Sequence, residues 1–326
     1  MCFGNNQNMN KLFLIKKPEV FQGEKNLTKY KNYFEGWYFK NTNKENGISF
    51  IPGINIENNI PKAFVQVITN NTSYFIDYNI KDFKFCYEPF EIKIGKNIFS
   101  KEKIHIDIED QDLKIFGDVK YSNIKNIRTN FMNPNIMGPF SFIPFMECNH
   151  AILSMQNNAN GVININDHKI NFANDIGYIE KDWGTSFPKS YLWCQGNNFQ
   201  KSNASFMISI ADIPFKMFNF RGTICVLLID NKEYKFTTYN NTKILKYEVS
   251  DNSLNISLKK GEFHLNVKSK LNKGQKLTAP VKGKMSKDIY ESITSLVTVT
   301  LMRKNTIIFS DTSSNCGLEI VDYINL

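Results

Sequence analysis

Apolar and polar residues alternate with a period of two along most of the chain. "FVQVIT" (64–69), "SYFIDYNI" (73–80), "KIHIDIED" (103–110), "GVININDHKINF" (161–172), "ASFMISIADI" (204–213) and "LVTVTLMRK" (296–304) each put apolar side chains on one face of an extended segment and polar ones on the other. Breaks such as "ENG", "NNANG", "DNK" and "KKG" lie between such runs and predict tight turns. Helical periodicity is scarce, and "MSKDIYESI" (285–293) is the segment that best fits a short helix. The pattern predicts an all-β protein of antiparallel strands in a barrel or sandwich, with two units at a length of 326 residues.

Composition narrows this only a little. Hydrophobic residues make up 42% and aromatic residues 13% of the chain, enough apolar surface to exclude disorder. The net charge of +9 comes from Lys and Arg spread through the sequence. No basic block and no zinc-finger, helix-turn-helix or RNA-recognition signature accompanies it, so nucleic acid is not an expected partner. Weak attraction to anionic lipid leaves peripheral membrane contact open. The six cysteines form no CxxC pair, which predicts reduced thiols rather than a disulfide framework or a zinc site. Neither a signal peptide nor an apolar run of membrane-spanning length is seen, and the expectation is a soluble, cytoplasmic protein. There is no dinucleotide fingerprint, P-loop, GxSxG or HExxH, so no cofactor and no metal are expected.

Three stretches depart from the plain alternation. In "GYIEKDWGTSFPKSYLWCQGN" (177–197) acids and large aromatics crowd together. Read as a strand, "GYIEKDWG" puts Tyr178, Glu180 and Asp182 on one face and Ile179, Lys181 and Trp183 on the other. In "SYLWCQGN" Tyr191, Trp193, Gln195 and Asn197 share a face. Between these two segments, Gly184 and Pro188 predict a bend. "GPFSFIPFMECNHAILSM" (138–155) leads into Glu147 and Asn149 on one face and His150 on the other. "NYFEGWYFK" (32–40) aligns Glu35, Trp37 and Phe39. Acids, amides and indoles at such spacing suit the wall of a pocket, although each stretch also reads as core aromatics beside solvated acids. His105 and Asp107 share a strand face among lysines and read as solvated.

Together "YFEGWYFK", "GPFSFIPFMECNHAILSM", "GYIEKDWGTSFPKSYLWCQGN" and "LTAPVKGKMSKDIYESITSLVTVTL" (277–301) resemble the tocopherol cyclase family. The resemblance implies two consecutive lipocalin-like antiparallel β-barrels or half-barrels with few helices, related to carotenoid hydratase-type proteins. We place the division at residues 1–188 and 189–326. It also implies closure of a chromanol ring on a prenylated quinol, without a cofactor. The chemistry fits the residues, since alkene protonation needs a desolvated acid and the resulting cation needs aromatic faces and a dry pocket. On this reading Asp182 is the proton donor, with Glu180 as its alternate, and Glu147 and His150 orient or deprotonate the phenol. Glu35, Trp37, Asn149, Trp183, Tyr191, Trp193 and Gln195 line the pocket and bind the hydrophobic small molecule. Two other readings stay open: a non-catalytic lipocalin-like carrier, and an isoprenoid hydratase in which water captures the cation.

Overall fold

A computed structural model of the chain describes residues 11–23, 27–110, 112–144, 146–215, 218–250 and 253–322. These residues form two antiparallel sheets of eleven strands each, and Lys11–Lys16 is the one α-helix among them. The fold is all-β and lipocalin-like in architecture. Every strand from Asn32 to Gly184 belongs to the first sheet, and every strand from Tyr191 to Val321 to the second. The first sheet rolls into a nearly closed barrel around Trp37, Phe39, Phe50, Phe99 and Ile179. The second curls around Leu192, Phe206, Ile256, Val299 and Leu318. A third apolar cluster, including Tyr38, Met155, Tyr178, Tyr191 and Trp193, fills the space between the two sheets.

Local chemistry explains the hairpins. Asn58 and Asn59 take positive φ, as do Asp230 and Asn231 and the pair Lys282–Gly283. Two adjacent residues with positive φ give the turn whose twist matches that of paired strands.

The segment 285–293 is a correction. It is not helical but lies within the strand Lys284–Arg303. From Met285 to Glu291 its burial alternates, with Tyr290 exposed and Ile289 and Glu291 buried. Two of the inward positions are Lys287 and Glu291, which hides the period of two from a hydrophobicity count.

The strand His168–Gly184 pairs with Asn32–Thr42 on one side and Cys148–Ile165 on the other. From Gly177 to Lys181 it is buried on both faces, because one face meets the barrel core and the other meets the second sheet. The sheets are fastened by polar contacts as well. Gln66 and Thr278 exchange two hydrogen bonds (3.1 and 2.9 Å), and Asn197 Nδ2 donates to Gly177 O (3.0 Å). No helix among the described residues is long and apolar enough to cross a membrane.

Candidate active site

The cavity lies between the two sheets rather than inside either barrel. Its volume of about 160 Å³ would accommodate a substituted aromatic ring. Phe34, Phe64, Phe187 and Leu277 contribute to its apolar wall, and His150, Glu180, Asp182 and Glu319 reach it from both sides.

Strand register brings the acids together. Asp182 sits opposite Gly36 on one neighbour and opposite His150 on the other. Glu180 sits opposite Tyr38 and Ile152. The alternation that pairs Tyr178, Glu180 and Asp182 on one face therefore places them beside His150 and Tyr38. His150 Nδ1 is 2.9 Å from Asp182 Oδ1, and His150 Nε2 is 3.5 Å from Glu180 Oε2. Glu180 Oε2 also accepts from Tyr178 OH (2.6 Å) and, across the interface, from Trp193 Nε1 (3.1 Å). All these contacts fall on one oxygen of Glu180.

Burial works against charge here. It pushes the Glu180 carboxyl up to about 7, with Asp182 adding to the rise and His150, Tyr178 and Trp193 opposing it. Burial alone would lower the His150 imidazole, but the charges of Asp182 and Glu180 win and hold it at about 9. His150, Glu180 and Asp182 offer donor atoms within 4.8 Å of one another, the one group among the described residues placed to hold a metal ion. Those atoms already bond to each other and to Tyr178 and Trp193, an arrangement suited to moving protons.

Trp193 is positioned by its neighbours. Its indole packs over Gly317, where an added Cβ would run into the ring, and edge-on against Tyr38 at 5.4 Å. Tyr191 lines the cavity and donates its OH to Glu319 Oε2 (2.7 Å). Gly184, with φ of 154°, brings the chain hard against the Glu147 carbonyl, which then accepts from the N–H groups of Thr185 (2.8 Å) and Ser186 (3.2 Å).

Other residues singled out in the sequence lie elsewhere. Glu35, Trp37 and Trp183 are on the barrel side of the sheet, around Lys181, whose Nζ is 2.5 Å from Glu35 Oε1 and lies 4.7 and 4.9 Å from the two indole rings. Asn149 is turned to Trp183 O (3.3 Å). Gln195 is buried and accepts from Lys40 Nζ (2.8 Å), away from the cavity wall. The Glu147 side chain is half-buried and not on the wall. Tyr38, Glu291 and Glu319 were not singled out, although Glu319 in "GLEIV" carries the signal of an acid inside an apolar run. His105 bonds Asp118 at the surface (2.9 Å). Cys148, Cys194, Cys225 and Cys316 are free thiols, and Cys2 lies outside the described residues.

A lipocalin-like β-protein with acids facing an apolar cavity is the class that fold and site define. The tocopherol cyclase-like family pattern matches residues 121–321, and the chain belongs to that family. An AttH-type protein from Nitrosomonas europaea superposes with a TM-score of 0.54 at 11% identity, over 95% of this chain and 96% of that one. Kievitone hydratase from Nectria haematococca gives 0.50 at 10% identity, over 93% and 94%. No curated protein sequence matches the chain.

Proposed function

We propose that the cavity protonates an alkene of a hydrophobic isoprenoid, and that an oxygen nucleophile captures the tertiary cation so formed. When the oxygen is the substrate's own phenol, the product is a chromanol and the reaction is an isomerisation. The observation that carries this reading is Glu180, an acid buried in an apolar cavity, with every contact on one oxygen and its pKa held near neutrality.

We assign the proton to Glu180 rather than to Asp182. Asp182 is engaged with His150, and that ion pair fixes the imidazole next to Glu180. Glu180 binds Tyr178 and Trp193 through Oε2, which leaves Oε1 to carry the proton toward the substrate. The faces of Tyr38, Tyr191 and Trp193 would stabilise the cation, and Phe34, Phe64 and Phe187 would keep bulk water from it.

Hydration is the second reading, supported by one specific feature. His150 Nε2 is buried without a hydrogen-bond partner among the described residues and faces Glu180, a position in which a water could be held as the nucleophile. A structural neighbour also bears the name of a hydratase.

The test is incubation with a prenylated benzoquinol in deuterated water, followed by mass spectrometry. Ring closure yields an isomer carrying one carbon-bound deuterium, and hydration yields a water adduct. Recovery of unchanged quinol bound to the protein would indicate a carrier and defeat both catalytic readings.

A further inference from the structure

The cavity has a second acidic end, which alkene protonation by Glu180 does not use. Pairing of the strands Lys284–Arg303 and Thr306–Val321 sets Glu291 directly opposite Glu319. Both carboxyls are buried; Glu319 reaches the cavity wall, and Glu291 lies behind it. Tyr191 OH donates to Glu319, and Tyr38 OH donates to Glu291 Oε1 (2.5 Å) while accepting from Ser49 Oγ (2.9 Å). Glu291 Oε2 is buried with no partner among the described residues.

The charged groups facing this pair are Lys40 from the strand Asn32–Thr42 and Glu180 and Asp182 from His168–Gly184. The polar groups are Tyr38 and, from Tyr191–Gly196, Tyr191. Across the interface, four carboxyls (Glu180, Asp182, Glu291 and Glu319) stand against two cations, His150 and Lys40. Ionising all four would leave two negative charges uncompensated in a region of low dielectric. Two protons must therefore stay. One belongs to Glu180. The other falls to the cross-strand pair, because adjacent buried carboxyls cannot both ionise and instead titrate together.

We infer that Glu319, backed by Glu291, is the proton acceptor of the reaction, and that Tyr191 relays the proton to it. This rests on the reading of Glu180 as the acid. Glu180 gives its proton to the alkene carbon, forming a C–H bond. The nucleophile's lone pair then forms a C–O bond to the cationic carbon. The O–H bond of that nucleophile breaks, its proton passes to the Tyr191 oxygen, and the proton of Tyr191 moves to Glu319. No electron leaves and nothing else is consumed. After product departs, water entering the cavity returns the proton to Glu180. Glu291 is a positioning residue, since it shares the pair's proton without reaching the cavity.

Infrared spectra of the full-length protein test this without a substrate. Wild type at neutral pH should show carbonyl bands from buried protonated carboxyls. Glu180→Gln should remove one band and Glu319→Gln another. Glu291→Gln should let Glu319 ionise with no carboxylate opposite it and lose the same band at a lower pH than wild type. If Glu180→Gln removes every such band and the other two variants change nothing, the shared proton is refuted while Glu180 stands. If Glu180→Gln removes none but the pair's band is present, it is the acid assignment that fails. Tyr191→Phe keeps Glu319 and its band but breaks the relay, and should lower turnover of a prenylated benzoquinol at least roughly tenfold, within what acid–base groups contribute. A Tyr191→Phe protein with its band intact and wild-type turnover would overturn the relay.

Discussion

The strand His168–Gly184 carries charge on both of its faces, and the two faces treat it in opposite ways. On the barrel side Lys181 and Glu35 form an ion pair with no exposure. Lys181 also donates to Pro18 O (2.8 Å) and Val20 O (2.6 Å), and Glu35 accepts from Tyr33 OH (2.6 Å) and the backbone N–H groups of Gln22 (2.8 Å) and Gly23 (3.1 Å). Two indoles close over the ammonium. Each N–H of the ammonium has an acceptor, and neither Lys181 nor Glu35 lines the cavity described above. On the interface side the acids outnumber the cations, His150 Nε2 and Glu291 Oε2 have no hydrogen-bond partner among the described residues, and His150 lines the cavity. Buried charge alone does not mark a site. Unfilled hydrogen-bonding capacity next to a cavity does, because only there can a proton or a ligand be exchanged.

The largest expected effect is on turnover, from Glu180→Gln. The amide keeps the shape and removes the proton, so turnover of a prenylated benzoquinol should fall by roughly two to four orders of magnitude. Below about pH 4.5, where the folded and unfolded chains both keep this proton, the melting temperature should hardly move. Unchanged turnover would falsify the view that the interface face is the chemical one.

On the opposite face, Lys181→Met should leave turnover per folded molecule as it was. It should destabilise the protein by about 3–5 kcal/mol, since Glu35 is left buried without its cation. Urea denaturation measures this. An unaltered midpoint would erase the contrast between the faces. Replacing both partners, with Glu35→Leu added, should restore much of the loss.

Stability should depend on pH with opposite slopes for the two faces. Glu180 and Glu319 are each pushed up by burial to about 7, so the folded protein holds protons that the unfolded chain releases from about pH 4.5 upward. Their contribution to stability is complete below that range and is lost as pH rises through 7. His150, held at about 9, extends the loss from about 6.5 to 9. Lys181 runs the other way. Burial lowers it to about 8 despite the opposing pull of Glu35, so the unfolded chain binds the extra proton between about 8 and 10.5 and stability gains with pH there. Melting temperature measured against pH for wild type and for the Glu180→Gln, Glu319→Gln double variant should differ in slope between about pH 4.5 and 7. Parallel curves would contradict the protonation of these acids.

The smallest expected effect comes from Trp193→Phe. It removes one N–H that stabilises ionised Glu180, a hydrogen bond with a net contribution of about 1 kcal/mol. The alkaline limb of the pH–rate profile should move to higher pH by a fraction of a unit. A move to lower pH would mean that the indole does not act on Glu180.

The sequence by itself determined the class of fold and the faces of its unusual strand. Period-two alternation with Asn- and Gly-rich turns is a local property, and side-chain direction in a strand follows from the backbone alone. Tyr178, Glu180 and Asp182 could therefore be placed on one face before any partner was known. His150 was assigned the opposite face from Glu147 and Asn149 by the same rule, in keeping with its register opposite Asp182. The sequence could not say what each face meets. Glu35, Trp37 and Trp183 have the composition of a pocket wall, yet they seal an ion pair in the barrel core. Tyr38, on the other face of the same strand as Trp37, reaches the cavity instead. Glu291 and Glu319, far along the chain, join Glu180 only because the second sheet lies across the first. Alternation specifies a face up to a choice between core and outside. The cavity exists because two sheets bury each other's outer faces, and that choice is made by long-range packing, which no local pattern encodes.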